Sequence, residues 1–171
     1  MSGPARWVAF GAGCLAAGAV GGLVWRATTE LPTWTVTPEG TAVLADQALV
    51  RMFEATARFV QVGAVAGLLL GLLALVLLRR RGWRVVAAAI VGPLLAGALA
   101  WGAGVLGGTP AEDLLAGAAV GSTVPVDLAL GAPVALLVWP FLAMVPVLFW
   151  SAFAADPDSH RTRPSQVSTP S

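Results

Sequence analysis

Phe59-Val-Gln-Val-Gly63-Ala-Val-Ala-Gly67-Leu-Leu-Leu-Gly71-Leu-Leu-Ala-Leu-Val-Leu-Leu78 runs for 20 residues without a charge, between Arg58 and the cluster Arg79-Arg80-Arg81-Gly82-Trp83-Arg84. About 20 apolar residues at 1.5 Å per residue cross the ~30 Å hydrocarbon core of a bilayer. Inside the stretch, glycine recurs every fourth residue, which stacks Gly63, Gly67 and Gly71 on one helix face. Such a face lets another helix approach closely. This segment therefore reads as a membrane-spanning helix that packs through its glycines.

Working outward, three further charge-free stretches have the same character. Trp7–Trp25 lies between Arg6 and Arg26, Val85–Leu106 follows Arg84, and Val134–Phe153 precedes Asp156. Spans are thus predicted at about 7–25, 59–78, 85–106 and 134–153, giving a four-transmembrane-helix bundle, an all-α membrane protein, over residues 1–155. The first span is too long for the ~7–15-residue apolar core of a signal peptide and is read as an uncleaved helix. The glycine device recurs as Gly18-x-x-x-Gly22 in the first span and as Ala96, Ala100 and Gly104 in the third. These, with Gly63, Gly67 and Gly71, are the predicted helix-packing residues. The spacing leaves open whether they pack within the chain or against another.

Composition agrees. Of 171 residues, 57 % are hydrophobic and 11 % charged, and the mean hydropathy is +0.81. Soluble domains carry about 25 % charged residues. That argues against a soluble enzyme, a disordered chain and a nucleic-acid-binding protein. All ten cations are Arg, against nine Asp and Glu. With the N-terminus cytoplasmic, seven Arg fall inside and Arg26, Arg51 and Arg58 outside, as the positive-inside rule requires. Both termini are expected in the cytoplasm, and 156–171 is expected to be a disordered cytoplasmic tail. Arg79, Arg80, Arg81 and Arg84 are read as topology anchors that also contact lipid headgroups. Trp7, Trp25, Trp83 and Trp150 fall near span ends and fit an interfacial aromatic belt.

The segment 33–58 is the predicted outer region. Trp34-Thr-Val-Thr37 and Thr41-Ala-Val-Leu44 flank Pro38-Glu-Gly40, the pattern of a short β-hairpin. Asp46 is the expected N-cap of a helix that continues into the second span and projects beyond the bilayer. Leu49, Val50, Phe53, Ala57 and Val60 would form its apolar face, and Arg51–Glu54 and Glu54–Arg58 its ion pairs. The second outer segment opens with the capping box Thr109-Pro-Ala-Glu112, predicting a short helix to about Ala116. The run 114–126 reads as a loop or interfacial segment. Pro93, Pro140 and Pro146 lie within spans three and four, where a proline removes a hydrogen bond and is expected to kink the helix.

Chemistry-bearing residues are sparse. Cys14, Gln61 and Ser151 are the polar side chains counted inside the spans, and the single histidine, His160, lies in the tail. Proton and ion pathways use intramembrane charges, and none is present in these spans. Glu112, Asp113 and Asp127 are the acids weighed for acid–base work, and they read more simply as helix-start charges and solvated acids. No catalytic, cofactor or metal residue is assigned, and the protein is expected not to be an enzyme. The expected partners are membrane lipids and a membrane-protein partner or second copy. The reading is a plasma-membrane scaffold or accessory subunit, with a small-molecule or lipid transporter, or a subunit of one, as the alternative.

Trp34–Gly40, Ala45-Asp-Gln47, Gly67–Gly71 leading into Arg79-Arg80-Arg81, Gly92–Trp101 and Pro125–Ala143 with Trp139-Pro140 follow one another in an order that resembles an uncharacterised family of small actinobacterial four-span membrane proteins. Met52-Phe-Glu54 stands where that family carries an acidic and aromatic stretch. The resemblance implies an actinobacterial plasma membrane and transfers no activity.

Overall fold

A computed structural model describes residues 3–31, 33–37, 42–44, 48–79, 82–108, 111–116, 118–119 and 121–153. The chain runs through α1 (Gly3–Thr28), β1 (Thr33–Val36), β2 (Ala42–Leu44), α2 (Ala48–Leu78), α3 (Arg84–Leu106), α4 (Ala111–Ala116) and β3 (Thr123–Pro125). A 3-10 turn (Pro133–Leu137) then leads into α5 (Val138–Phe153). Among the described residues, four helical segments are long and apolar enough to cross a membrane. They form one bundle, in which α1 packs most extensively on α3 and α2 on α5. Asp46, Pro38–Gly40, Thr109, Pro110, Arg80, Arg81 and the tail 156–171, each given a role above, lie outside the described residues.

α2 has 31 residues, or about 46 Å at 1.5 Å per residue, so it overshoots a ~30 Å core. α5 has only 16 residues. It reaches across because the five-residue 3-10 turn adds about 2.0 Å per residue at its start. Pro140 consequently falls in the first turn of α5, where a missing N–H matters least, and not in the helix interior, where the expected kink would arise. Pro146 and Pro93 do lie inside α5 and α3. The α2–α3 connection turns at Gly82, whose φ of +57° suits glycine.

The hairpin β1–β2 is antiparallel, with Trp34 opposite Leu44 and Val36 opposite Ala42. A third strand, β3, pairs antiparallel with the other edge of β1, placing Trp34 opposite Val124. The order β2-β1-β3 corrects the reading of 114–126 as loop alone: residues 123–125 are strand. Beyond β3, the Val36 N–H donates to the Ser122 carbonyl at 3.1 Å, so pairing with β1 makes this short segment a strand. The short helix after Pro110 is α4, as expected to Ala116. Its Ala111 N–H is capped by Asp127 Oδ1 at 2.9 Å.

Among the described residues of α2, the buried ones are Ala55, Phe59, Gly63, Gly67, Leu70, Gly71, Ala74 and Leu78. The glycine stripe continues by fours toward the N-terminus, to Phe59 and Ala55, and by a step of three and then four toward the C-terminus, to Ala74 and Leu78. It corrects the apolar face expected from Val50, Phe53 and Ala57, all three of which are exposed. Nor does Arg51 pair with Glu54. Its guanidinium meets Glu30 at 3.1 Å, tying α2 to the segment after α1. Among the described residues Glu54–Arg58 makes no ion pair either.

Candidate functional site

The small-residue faces meet other parts of this chain. A Cβ added at Gly18 would lie 2.7 Å from the Ala96 carbonyl oxygen, and one at Gly22 would lie 2.5 Å from that of Ala100. Two small-residue faces thus bring the α1 and α3 backbones together. On α2, a Cβ at Gly63 would sit 2.5 Å from Trp139 Nε1, one at Gly67 2.5 Å from the Trp139 carbonyl oxygen, and one at Gly71 against the Ala143 carbonyl oxygen. Gly104 accommodates the ring of Trp25 in the same way, at 2.5 Å.

Trp139 is the centre of the bundle and is fully buried. Its indole occupies space left by Gly21 of α1, Gly63 of α2 and Gly97 of α3, so one side chain from α5 touches all three other spans. Among the described residues its Nε1–H has no hydrogen-bond acceptor. A buried unsatisfied donor costs about 1–3 kcal/mol, offset here by the burial of a large aromatic surface. Trp25 is also fully buried, which corrects its assignment to the aromatic belt. Its Nε1–H donates to the Ala55 carbonyl at 2.7 Å, and its ring meets Phe59 edge-on with centroids 5.0 Å apart. Neither role was assigned from sequence. The available signal was the glycines themselves, since a stripe of absent side chains needs a large neighbour or a close backbone to fill it.

Arg26 lies beside the C-terminal end of α3, its Nη1 donating to the Gly104 carbonyl at 3.3 Å. A cation at a helix C-terminus is favourable. At the opposite end of the bundle, Arg79 stands 5.9 Å from the ring centroid of Trp150, within cation–π range. Arg84 is exposed at the start of α3, as is Trp83 before it.

Glu112 and Asp113 are exposed, and Asp127 is engaged in capping α4. Among the described residues no group of three or more His, Cys, Asp or Glu converges. The concave features are therefore grooves. One of about 680 Å³ runs between α1 and α2, lined by Gly13, Ala17, Val20 and Val24 opposite Val65 and Leu69, among others. Above it, at the hairpin end, a polar notch of about 440 Å³ is formed by Thr28, Thr29, Glu30, Glu54, Arg58 and Gln61. Gln61 belongs to both. A second apolar groove of about 500 Å³ lies between α1 and α3, beside Phe10 and Cys14. A cleft of about 530 Å³ lies under the sheet, between Arg26 and Asp127.

No protein-family model, curated protein or solved structure matches the chain.

Proposed function

We propose that this multi-span membrane protein is a non-enzymatic accessory subunit or scaffold that contacts a partner membrane protein at its hairpin end. The observation that carries the reading is the exposed apolar strip on the first turns of α2. Val50 is 60 % and Phe53 77 % exposed, at the hairpin end of the helix, where its candidate membrane span begins. The glycine faces are filled by this chain's own helices and leave this strip as the contact surface. The acids weighed for catalysis are solvated or engaged in capping, which supports a binding role over a reaction. The arginine asymmetry supports a plasma-membrane location with both termini cytoplasmic. Photo-crosslinking from position 53 in native membranes tests the proposal. A discrete protein adduct, weakened by Val50→Glu, is expected; adducts to lipid alone from a monomeric protein would overturn it.

The open α1–α2 groove favours a second reading, a lipid or small-molecule transporter or a subunit of one. Reconstitution into liposomes with a labelled lipid in one leaflet tests it. Flux no faster than in protein-free vesicles eliminates this reading.

A further inference from the structure

We propose that the α1–α2 groove and the notch above it together hold one phospholipid, with a phosphate and a primary ammonium in its headgroup, from the leaflet on the hairpin side. The claim is independent of whether the protein moves lipid or only keeps it. Lipid chains cover every membrane-facing surface, so an apolar groove alone would select nothing. What distinguishes this one is its continuity with a charged mouth through Gln61.

The depth of the groove identifies the occupant. Its α1 wall extends from Gly13 to Val24, about 16 Å at 1.5 Å per residue. That is about half of a ~30 Å hydrocarbon core, the depth of one leaflet. A transmembrane helix from a partner or a second copy would need a groove through both leaflets. Along the groove Val20, Val65 and Leu69 are each about 60 % exposed, so a chain enters sideways from the bilayer.

Charge selects the headgroup. Arg58 and Glu54 both line the notch and are spaced one helical turn apart, yet they do not pair with one another, and neither has another ion-pair partner among the described residues. Glu30, the other acid of the notch, is engaged by Arg51. Among the described residues the mouth therefore offers one cation and one anion. A lipid phosphate matches the Arg58 guanidinium, and an ammonium with N–H donors matches the Glu54 carboxylate. Thr28 and Thr29 hydroxyls donate back to carbonyls of their own helix, at 2.8 and 2.7 Å, so Gln61 remains as a further amide for the headgroup. An anionic phosphatidylglycerol would meet Glu54 unfavourably, and phosphatidylcholine has no N–H to give it.

The test uses the full chain reconstituted in vesicles of equal parts phosphatidylethanolamine, phosphatidylcholine and phosphatidylglycerol with matched acyl chains. Bound lipid is then counted by native mass spectrometry after release into detergent. The expected result is retained phosphatidylethanolamine in excess over the other two. Arg58→Gln and Glu54→Gln, both at exposed positions, should each lower that retention roughly tenfold, the loss of one charge-assisted hydrogen bond. Arg58→Lys should restore most of it. Ala17→Phe with Val65→Phe should fill the groove and abolish retention while the thermal melt in detergent stays unchanged. Equal retention of the three lipids by the natural protein, or unaltered retention by the charge variants, would overturn the proposal. So would a second copy crosslinked into the groove.

Discussion

The α1–α3 and α2–α5 seams both rest on glycine at four-residue spacing, yet they are built differently. Along α1–α3, small residues stand on both helices, and Gly18 and Gly22 meet the carbonyls of Ala96 and Ala100. Backbone lies on backbone. Along α2–α5, the glycines stand on one helix only. Gly63 receives the indole of Trp139, while Gly67 and Gly71 meet carbonyls of α5. The first seam sets small residues against small residues, whereas the second joins two glycine–carbonyl contacts to one glycine, Gly63, that makes room for a large side chain. Repacking can relieve strain where the obstacle is a side chain. It cannot do so where the obstacle is a carbonyl held in a helix.

The largest effects should come at glycines whose nearest neighbour is a backbone carbonyl. Gly22→Ala drives a methyl into the Ala100 carbonyl and should destabilise the bundle by about 3 kcal/mol, read by reversible unfolding in mixed micelles. Gly63→Ala should cost about 2 kcal/mol. Its nearest atom is Nε1 of Trp139, which Trp139→Phe removes. A double-mutant cycle should therefore show favourable coupling of about 1 kcal/mol at Gly63, and none between Gly22 and Trp139. Additive behaviour at Gly63 would erase the distinction between the seams.

The two buried tryptophans offer a smaller contrast. Trp25→Phe loses the bond to Ala55, whereas Trp139→Phe removes a donor that has no acceptor. Trp25→Phe should be the more destabilising by about 1 kcal/mol. Equal losses in thermal melts would show that burial alone sets the worth of both rings. The smallest effect carries the opposite sign. Nothing lies within 4 Å of a Cβ at Gly11 or Gly102. Gly→Ala at either position should stabilise by up to about 1 kcal/mol through helix propensity. A loss there would place a contact on a face that this chain leaves open.

How far these features were legible in sequence follows from their physics. The spans were legible because charge is excluded from hydrocarbon over a fixed length, and Arg58, Arg79 and Arg84 mark where it returns. The hairpin was legible because β-favouring residues flank a Pro-Gly turn. β3 was not, since three residues containing a proline carry no alternation of their own and become a strand by pairing with Trp34 and Thr35. The inward face of α2 was half legible. Hydrophobicity pointed to Val50 and Phe53, while the glycine stripe, extended by fours to Phe59 and Ala55, pointed to the face that is buried. In a membrane helix, small size marks a packed face better than apolarity does, because lipid is as apolar as leucine.

From sequence alone came the number of spans and the stacking of the glycines, because each depends on the bilayer or on one helix's own period. The filling of those faces was decided in three dimensions. Trp139 and Trp25 became core, Arg51 joined Glu30, and Gln61 came to link a charged notch to an apolar groove. Each is a meeting of residues distant in the chain, and only the packing of whole helices determines which of them meet.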